Sequence, residues 1–303
     1  SVVCDKLQEV AERVFRNLPV LHDLIFNVPP GTSKSSICSI LFPAWIWTRM
    51  PNARILSASH TNDLVIDLSP KARSVITNDR YREYFPEIVL TQDQDVKTYY
   101  RNTLGGDRYT CTVSGRSPIG FHAHFHIPDD LLSPKTARSM VEVIEARKFL
   151  TEELPSRKVD KAITPCILIM QRLCPGDPTD VMIEAARRQD AAPVCRICLP
   201  AELSDKVEPP ELRDNYVNGL LDPNRLPQAV LKRERARMTN HAYEAQYQQN
   251  PVTPGGSMFK AHHLNNRVKS APYAAKRVFG IDRAATFEGG AFTSCTLMAS
   301  GDD

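Results

Sequence analysis

The stretch NVPPGTSKSS, Asn27 to Ser36, decides the fold. Lys34 and Ser35 are the ammonium and hydroxyl of a phosphate-gripping loop, but in the pattern G-x-x-x-x-G-K-[ST] the two glycine places hold Val28 and Ser33, with Gly31 between them. Such a loop aims successive backbone N–H groups, a helix N-terminus and a lysine at one anion; glycine eases the path and binds nothing itself. Pro30, Gly31, Thr32, Ser33, Lys34, Ser35 and Ser36 are therefore candidate nucleotide-binding residues, with Lys34 reaching the terminal phosphates and Ser35 a Mg²⁺ ion. The competing reading is a strand-to-helix turn with a capping serine.

The flanks favour the first reading. The apolar run DLIFNV before the loop reads as a buried strand, and the pattern from Lys34 to about Met50 reads as a helix. Upstream, Leu7, Val10, Ala11, Val14 and Leu18 recur at helical intervals; downstream, ARILSAS reads as a strand and Asn62 to Thr77 as a helix. Strand, loop, helix, strand, helix is the alternation of a parallel α/β sheet. LGGD between two Tyr/Thr-bearing runs predicts a hairpin over residues 97 to 113, Ala137 to Leu154 a helix, and PCILIMQRL a strand too apolar to face water.

Nucleotide hydrolysis also needs carboxylates at a neighbouring strand end, one for Mg²⁺ and one to orient the attacking water. FHAHFHIPDD supplies Asp129 and Asp130, although Pro128 removes a sheet donor just before them. The same run carries His122, His124 and His126, which alternate onto one face of an extended strand and offer a metal reading instead.

A hydrophobic fraction of 42% and a charged fraction of 24% in 303 residues are those of a globular chain and exclude a disordered tail. No run is long enough to span a bilayer, and the N-terminus lacks the order of a signal peptide, so a cytoplasmic, reducing setting is expected. The eight cysteines are scattered; Cys195 and Cys198 form a CxxC inside a strand-like run, with no second pair to complete a zinc set. A net charge of +3 leaves any nucleic-acid contact to local patches such as LKRERAR, Leu231 to Arg237, which reads more readily as the wet face of a helix. Pro200 to Pro227 reads as an irregular surface connection, helices resume from Gln228 to Gln249, and NPVTPGGSMFKAHH has linker composition. The last run, RVFGIDRAATFEGGAFTSCTLMAS, reads as strand, turn, strand, too little for a core of its own and so the start of a further domain.

In order along the chain, NVPPGTSKS, FPAW, the GG hairpin, GFHAHF…DD, ILIMQRL…DPT, LPAEL, AQYQQNP, GGSMFK and GIDRAAT resemble the large terminase subunit of tailed double-stranded DNA bacteriophages. That family's phosphate loop is itself glycine-poor. The resemblance implies an α/β fold: a P-loop NTPase domain of the additional-strand type over residues 1–250, with lid and linker helices toward its end. A linker over 251–271 and the first strands of an RNase H-like nuclease over 272–303 would follow. It implies ATP and Mg²⁺ as cofactors, Lys34 on the phosphates, Ser35 and Asp129 on Mg²⁺, and Asp130 as the catalytic carboxylate. It further implies Gln171 in the coupling motif, Gln8 beside the adenine and Asp282 as the first nuclease metal ligand. An arginine finger would come from a neighbouring subunit, with Arg116 the candidate and Arg157 and Arg172 alternatives.

The implied partners are double-stranded DNA, a portal and procapsid, and a small terminase subunit, with a homo-oligomeric ring when assembled, a monomer when isolated, no membrane, and the host cytoplasm as the setting. With Asp282 alone of its carboxylates present apart from terminal Asp302 and Asp303, the 303-residue chain is expected to lack nuclease activity. The rival functions are a helicase, which needs a second motor domain, and a non-catalytic DNA-binding scaffold with a decayed nucleotide site.

Overall fold

A computed structural model describes residues 1–91, 98–115, 118, 120–252, 276–282 and 294–300. The chain divides into two units, Ser1–Val252 and Thr253–Asp303.

In the first unit the apolar run before the loop forms β1 (Asp23–Asn27), whose Leu24, Ile25 and Phe26 are fully buried. A strand covered on both faces needs such a run, because alternate side chains enter opposite layers. β1 pairs in parallel with β6 (Ile167–Met170) and β7 (Val194–Cys198). A second ribbon holds β2 (Arg54–Ser59) between β4 (Asp107–Thr112) and β5 (Phe125–Pro128), both parallel to it, with β3 (Tyr99–Arg101) antiparallel at its edge. Parallel bridges His126–Cys166 and Asp129–Ile169 join the ribbons. The sheet order is thus β3-β4-β2-β5-β6-β1-β7, and β6 stands between the loop strand and the strand that leads to Asp129.

Two layers of helix cover this sheet. One core packs α1 (Val2–Phe15), the helix after the loop and α3 (Asn62–Ile76) on Leu24, Phe26, Ile55, Ile127, Ile169 and Ile197. The other packs α5 (Met140–Lys148) and α6 (Pro178–Ala186) on Ile25, Leu56, Leu168 and Met170. The helix expected from Lys34 forms, with π-helical turns over Ser36–Leu41 before α2 (Phe42–Arg49). A short helix α4 (Asp79–Tyr84) follows α3.

The helix expected over Ala137 to Leu154 is shorter. Ser139 caps α5 by accepting from the Glu142 N–H, and after Lys148 the chain widens into a π turn over Phe149–Glu153. Pro155 has no N–H to return to the Thr151 carbonyl, so no α ladder could run on past it.

The hairpin around LGGD is β3 and β4, its turn held by Asn102 Oδ1, which accepts from Leu104 N and Gly106 N, each at 2.9 Å. Residues 199–227 are irregular apart from a 3₁₀ segment, Pro210–Asn215. α7 (Gln228–Arg237) and α8 (Asn240–Gln246) then close a small core of Ala201, Leu220, Leu226 and Leu231.

In the second unit β8 (Lys276–Asp282) and β9 (Ser294–Ser300) form an antiparallel pair. Among the described residues no helix is long and apolar enough to cross a membrane.

Candidate nucleotide site

β1 ends at Asn27, whose side chain ties the strand end in place. Its Nδ2 donates to the Met170 carbonyl at 3.2 Å and to Thr179 Oγ1 at 2.9 Å, and its Oδ1 accepts from Arg196 Nε at 2.8 Å. The loop then turns, with Thr32 Oγ1 donating to the Pro29 carbonyl at 2.7 Å. Gly31 has φ +78° and Ser33 φ +61°. Ser33 thus takes the left-handed backbone for which glycine is usually selected, so the loop follows a glycine path without the glycine. Ile37 N donates to the Ser33 carbonyl at 3.0 Å and opens the helix.

At the C-terminal edge of the sheet Asp129 and Asp130 follow β5. The missing Pro128 donor falls on the β6 side, and pairing resumes at once: Asp129 N donates to Ala58 O and Asp130 N to Ile169 O, each at 2.8 Å. Pro128 therefore ends the strand without displacing the carboxylates. Asp130 is itself left-handed, φ +47°, and its carbonyl accepts from His60 N at 3.1 Å.

These elements bring Lys34, Ser35, Asp129 and Asp130 together. Lys34 Nζ stands 3.4 Å from Asp130 Oδ2. Asp129 Oδ2 accepts from Ser39 Oγ at 2.6 Å, and the Ser35 hydroxyl stands near the same carboxylate. Burial, reinforced by the neighbouring Asp130 charge, pushes the Asp129 carboxyl up to about 7, against the pull of Ser39, Lys34 and Ser35.

Three buried oxygens here have no hydrogen-bond partner among the described residues: Asp129 Oδ1, Asp130 Oδ1 and Oε1 of Gln171, which directly follows β6. Buried acceptors left unpaired beside two crowded carboxylates suit a hard divalent cation, for which an all-oxygen donor set is appropriate. Residues able to hold Mg²⁺ are Ser35 and Asp129, and those able to hold phosphate are Lys34 and the loop from Pro30 to Ser36.

Gln8 lies on α1 beside the helix that follows the loop, lining an apolar cavity of about 250 Å³ with Leu7, Ile37, Phe42 and Trp45. Arg116 lies outside the described residues. Arg157 is in the connection whose carbonyl accepts from Ala123 N, at the edge of the sheet opposite Asp129.

Arg172 is engaged within its own chain. It is 5% exposed, with Nε 2.9 Å from Asp177 Oδ2 and Nη2 2.6 Å from Asp180 Oδ1, while its backbone N–H donates to Gln249 Oε1 at 3.0 Å. Its guanidinium is thus held by acidic partners of its own chain. Arg172→Ala strands the buried Asp177 carboxylate and is expected to cost about 3–5 kcal/mol, read as a lowered urea midpoint at unchanged slope.

The histidine alternative does not assemble. His124 Nδ1 accepts from Arg54 N at 3.0 Å, His126 Nε2 meets the Arg157 carbonyl at 3.2 Å, and burial pushes His126 down to about 3. No metal-binding group of three or more His, Cys, Asp or Glu occurs among the described residues. Cys195 and Cys198 are free thiols on β7. Of the basic cluster, Arg235 pairs with Glu202 at 2.9 Å and Arg237 with Glu234 at 3.4 Å. Asp282 ends β8 opposite Ser294; Asp302 and Asp303 lie outside the described residues.

Sequence reasoning missed Ser39, though its place four residues after Ser35 on one helix was a usable signal. It also missed Arg225, which donates to Ser33 Oγ.

No protein-family model matches the sequence, and no curated protein does. Among solved structures the chain is similar to the large terminase of a thermophilic bacteriophage in complex with ADP, at 12% identity and a TM-score of 0.41. The match covers 96% of this chain and 65% of the terminase chain, so this chain spans less than two thirds of that protein's length.

Proposed function

We propose that this chain is the ATP-hydrolysing part of a motor that translocates viral double-stranded DNA into a procapsid. The observation that carries the reading is the meeting of Lys34 with Asp130, and of Ser35 with Asp129, at the C-terminal edge of a parallel sheet and the start of a helix. Mg²⁺ bound there would neutralise charge on the transferring phosphoryl group.

The chain's own residues divide the remaining work. The loop amides and Lys34 bind the phosphates, Ser35 and Asp129 hold the cation, and Asp130 orients the attacking water once Lys34 turns from it to phosphate. Gln171, just past the strand between the two halves of the site, would pass the change onward. Gln8, beside the apolar cavity, suits the base.

Contacts to DNA would be to phosphates and independent of sequence, since a motor holds any sequence it meets. A ring on a portal, a small terminase subunit and the host cytoplasm complete this reading. Asp282 would serve a metal-dependent nuclease.

The test is phosphate release by the chain at high concentration, with linear duplex DNA and Mg²⁺, alone and with a portal ring. Turnover that disappears in both Lys34→Ala and Asp129→Ala supports the motor. An inactive wild type under all these conditions favours a non-catalytic scaffold.

A further inference from the structure

The irregular connection between β7 and α7 doubles back over the phosphate loop. Its turn is fixed by Asp222, whose Oδ1 accepts from Asn224 N and Arg225 N, each at 3.1 Å, and whose carbonyl accepts from Leu226 N at 2.8 Å. Leu226 is 6% exposed and locked into the small core with Ala201, Leu220 and Leu231.

From this anchored turn Arg225 reaches across 192 positions of sequence, and its Nη1 donates to Ser33 Oγ, in the residue just before Lys34. Its Nε stands 3.8 Å from Asp222 Oδ2, beyond hydrogen-bond range, and the side chain is 54% exposed. A guanidinium presents five N–H donors in a rigid fork suited to phosphate. Here one donor serves a neutral hydroxyl, and the others have no hydrogen-bond acceptor among the described residues. The fork therefore stands with spare donors beside the loop whose amides would hold an anion.

We propose that Arg225 is a nucleotide-contacting residue supplied by the same chain. It holds the loop through Ser33 and turns to the terminal phosphate when a triphosphate binds. Because it rides on the turn leading into α7, it also reports that phosphate to the segment 222–246. This inference rests on the nucleotide reading above.

The experiment titrates labelled AMP-PNP and labelled ADP, with Mg²⁺, against wild type, Arg225→Ala, Arg225→Lys and Lys34→Ala. A lost charge-assisted contact to the terminal phosphate predicts about ten- to a hundredfold weaker AMP-PNP binding in Arg225→Ala, with ADP affinity held within about threefold. Arg225→Lys restores part of the loss. Backbone amides of residues 222–237 exchange more slowly on adding AMP-PNP to wild type, and not in Arg225→Ala.

Unchanged AMP-PNP affinity in Arg225→Ala, or AMP-PNP and ADP weakened by one common factor, overturns the inference while leaving the site intact. A wild type that binds neither nucleotide overturns the site and the inference together. Should Arg225→Ala not fold, Arg225→Lys and Arg225→Gln carry the same comparison.

Discussion

Lys34→Ala is expected to lower kcat/KM for ATP by at least about a thousandfold, the scale set by removing a preorganised group that meets developing charge. Two effects act in one direction. The terminal phosphates lose their ammonium, and Asp130, only 16% exposed, loses the cation 3.4 Å away. Without that partner the Asp129–Asp130 pair holds more uncompensated negative charge, so the nucleotide-free variant should also be less stable, by about 1–3 kcal/mol. Lys34→Arg keeps the charge but replaces a point ammonium with a wider fork, and should recover stability more than turnover. Phosphate release and thermal melting on the same samples check this. Turnover in Lys34→Ala within about threefold of wild type would remove the site from consideration.

The second large effect has opposite signs for activity and stability. Burial and the Asp130 charge push the Asp129 carboxyl up to about 7 in the folded chain, against an ordinary value of 3.8. Between about pH 4 and pH 7 the folded state therefore holds a proton that the unfolded state has released, so stability falls as pH rises through that window and the loss is complete above it. Asp129→Asn keeps the shape and discards the ionisation. In a chelated, nucleotide-free buffer at about pH 8 it should be more stable than wild type by roughly 2–4 kcal/mol, and the difference should vanish near about pH 4.

ATP turnover in the same variant should be lost. Adding Mg²⁺ with nucleotide should raise the melting temperature of wild type and leave the variant nearly unmoved. Urea titrations at the two pH values, with and without divalent cation, read all of this. A variant less stable than wild type at the higher pH without cation would show that burial and the Asp130 charge do not govern this carboxyl.

Local features of the chain were legible where one physical requirement dominates. DLIFN had to be buried on both faces, and ILIM likewise, so both read as strands. The helix start at Lys34 and Ser35 was legible because a helical pattern follows directly on the turn after an apolar strand. What could not be read were agreements between distant segments. The Arg172 cage with Asp177 and Asp180, and its tie to Gln249, depends on how the end of β6 meets the last helices. The reach of Arg225 to Ser33 depends on a connection with no periodicity at all.

The end of the helix after Ser139 escaped sequence reasoning for a different reason. Its apolar spacing continues through Leu154, while the backbone leaves the α ladder for a π turn at Phe149. Ser33 teaches the converse: a backbone angle, once imposed by the surrounding turn, can be met by a residue that sequence patterns exclude.

The single strand inserted between β1 and β5 acts as a gauge block. It separates the lysine-bearing half of the cleft from the acidic half by two inter-strand steps, about 10 Å. Peptide groups, common to every residue, set that interval, so substitutions can accumulate through both packed layers without altering the distance between the strand before Lys34 and the strand before Asp129.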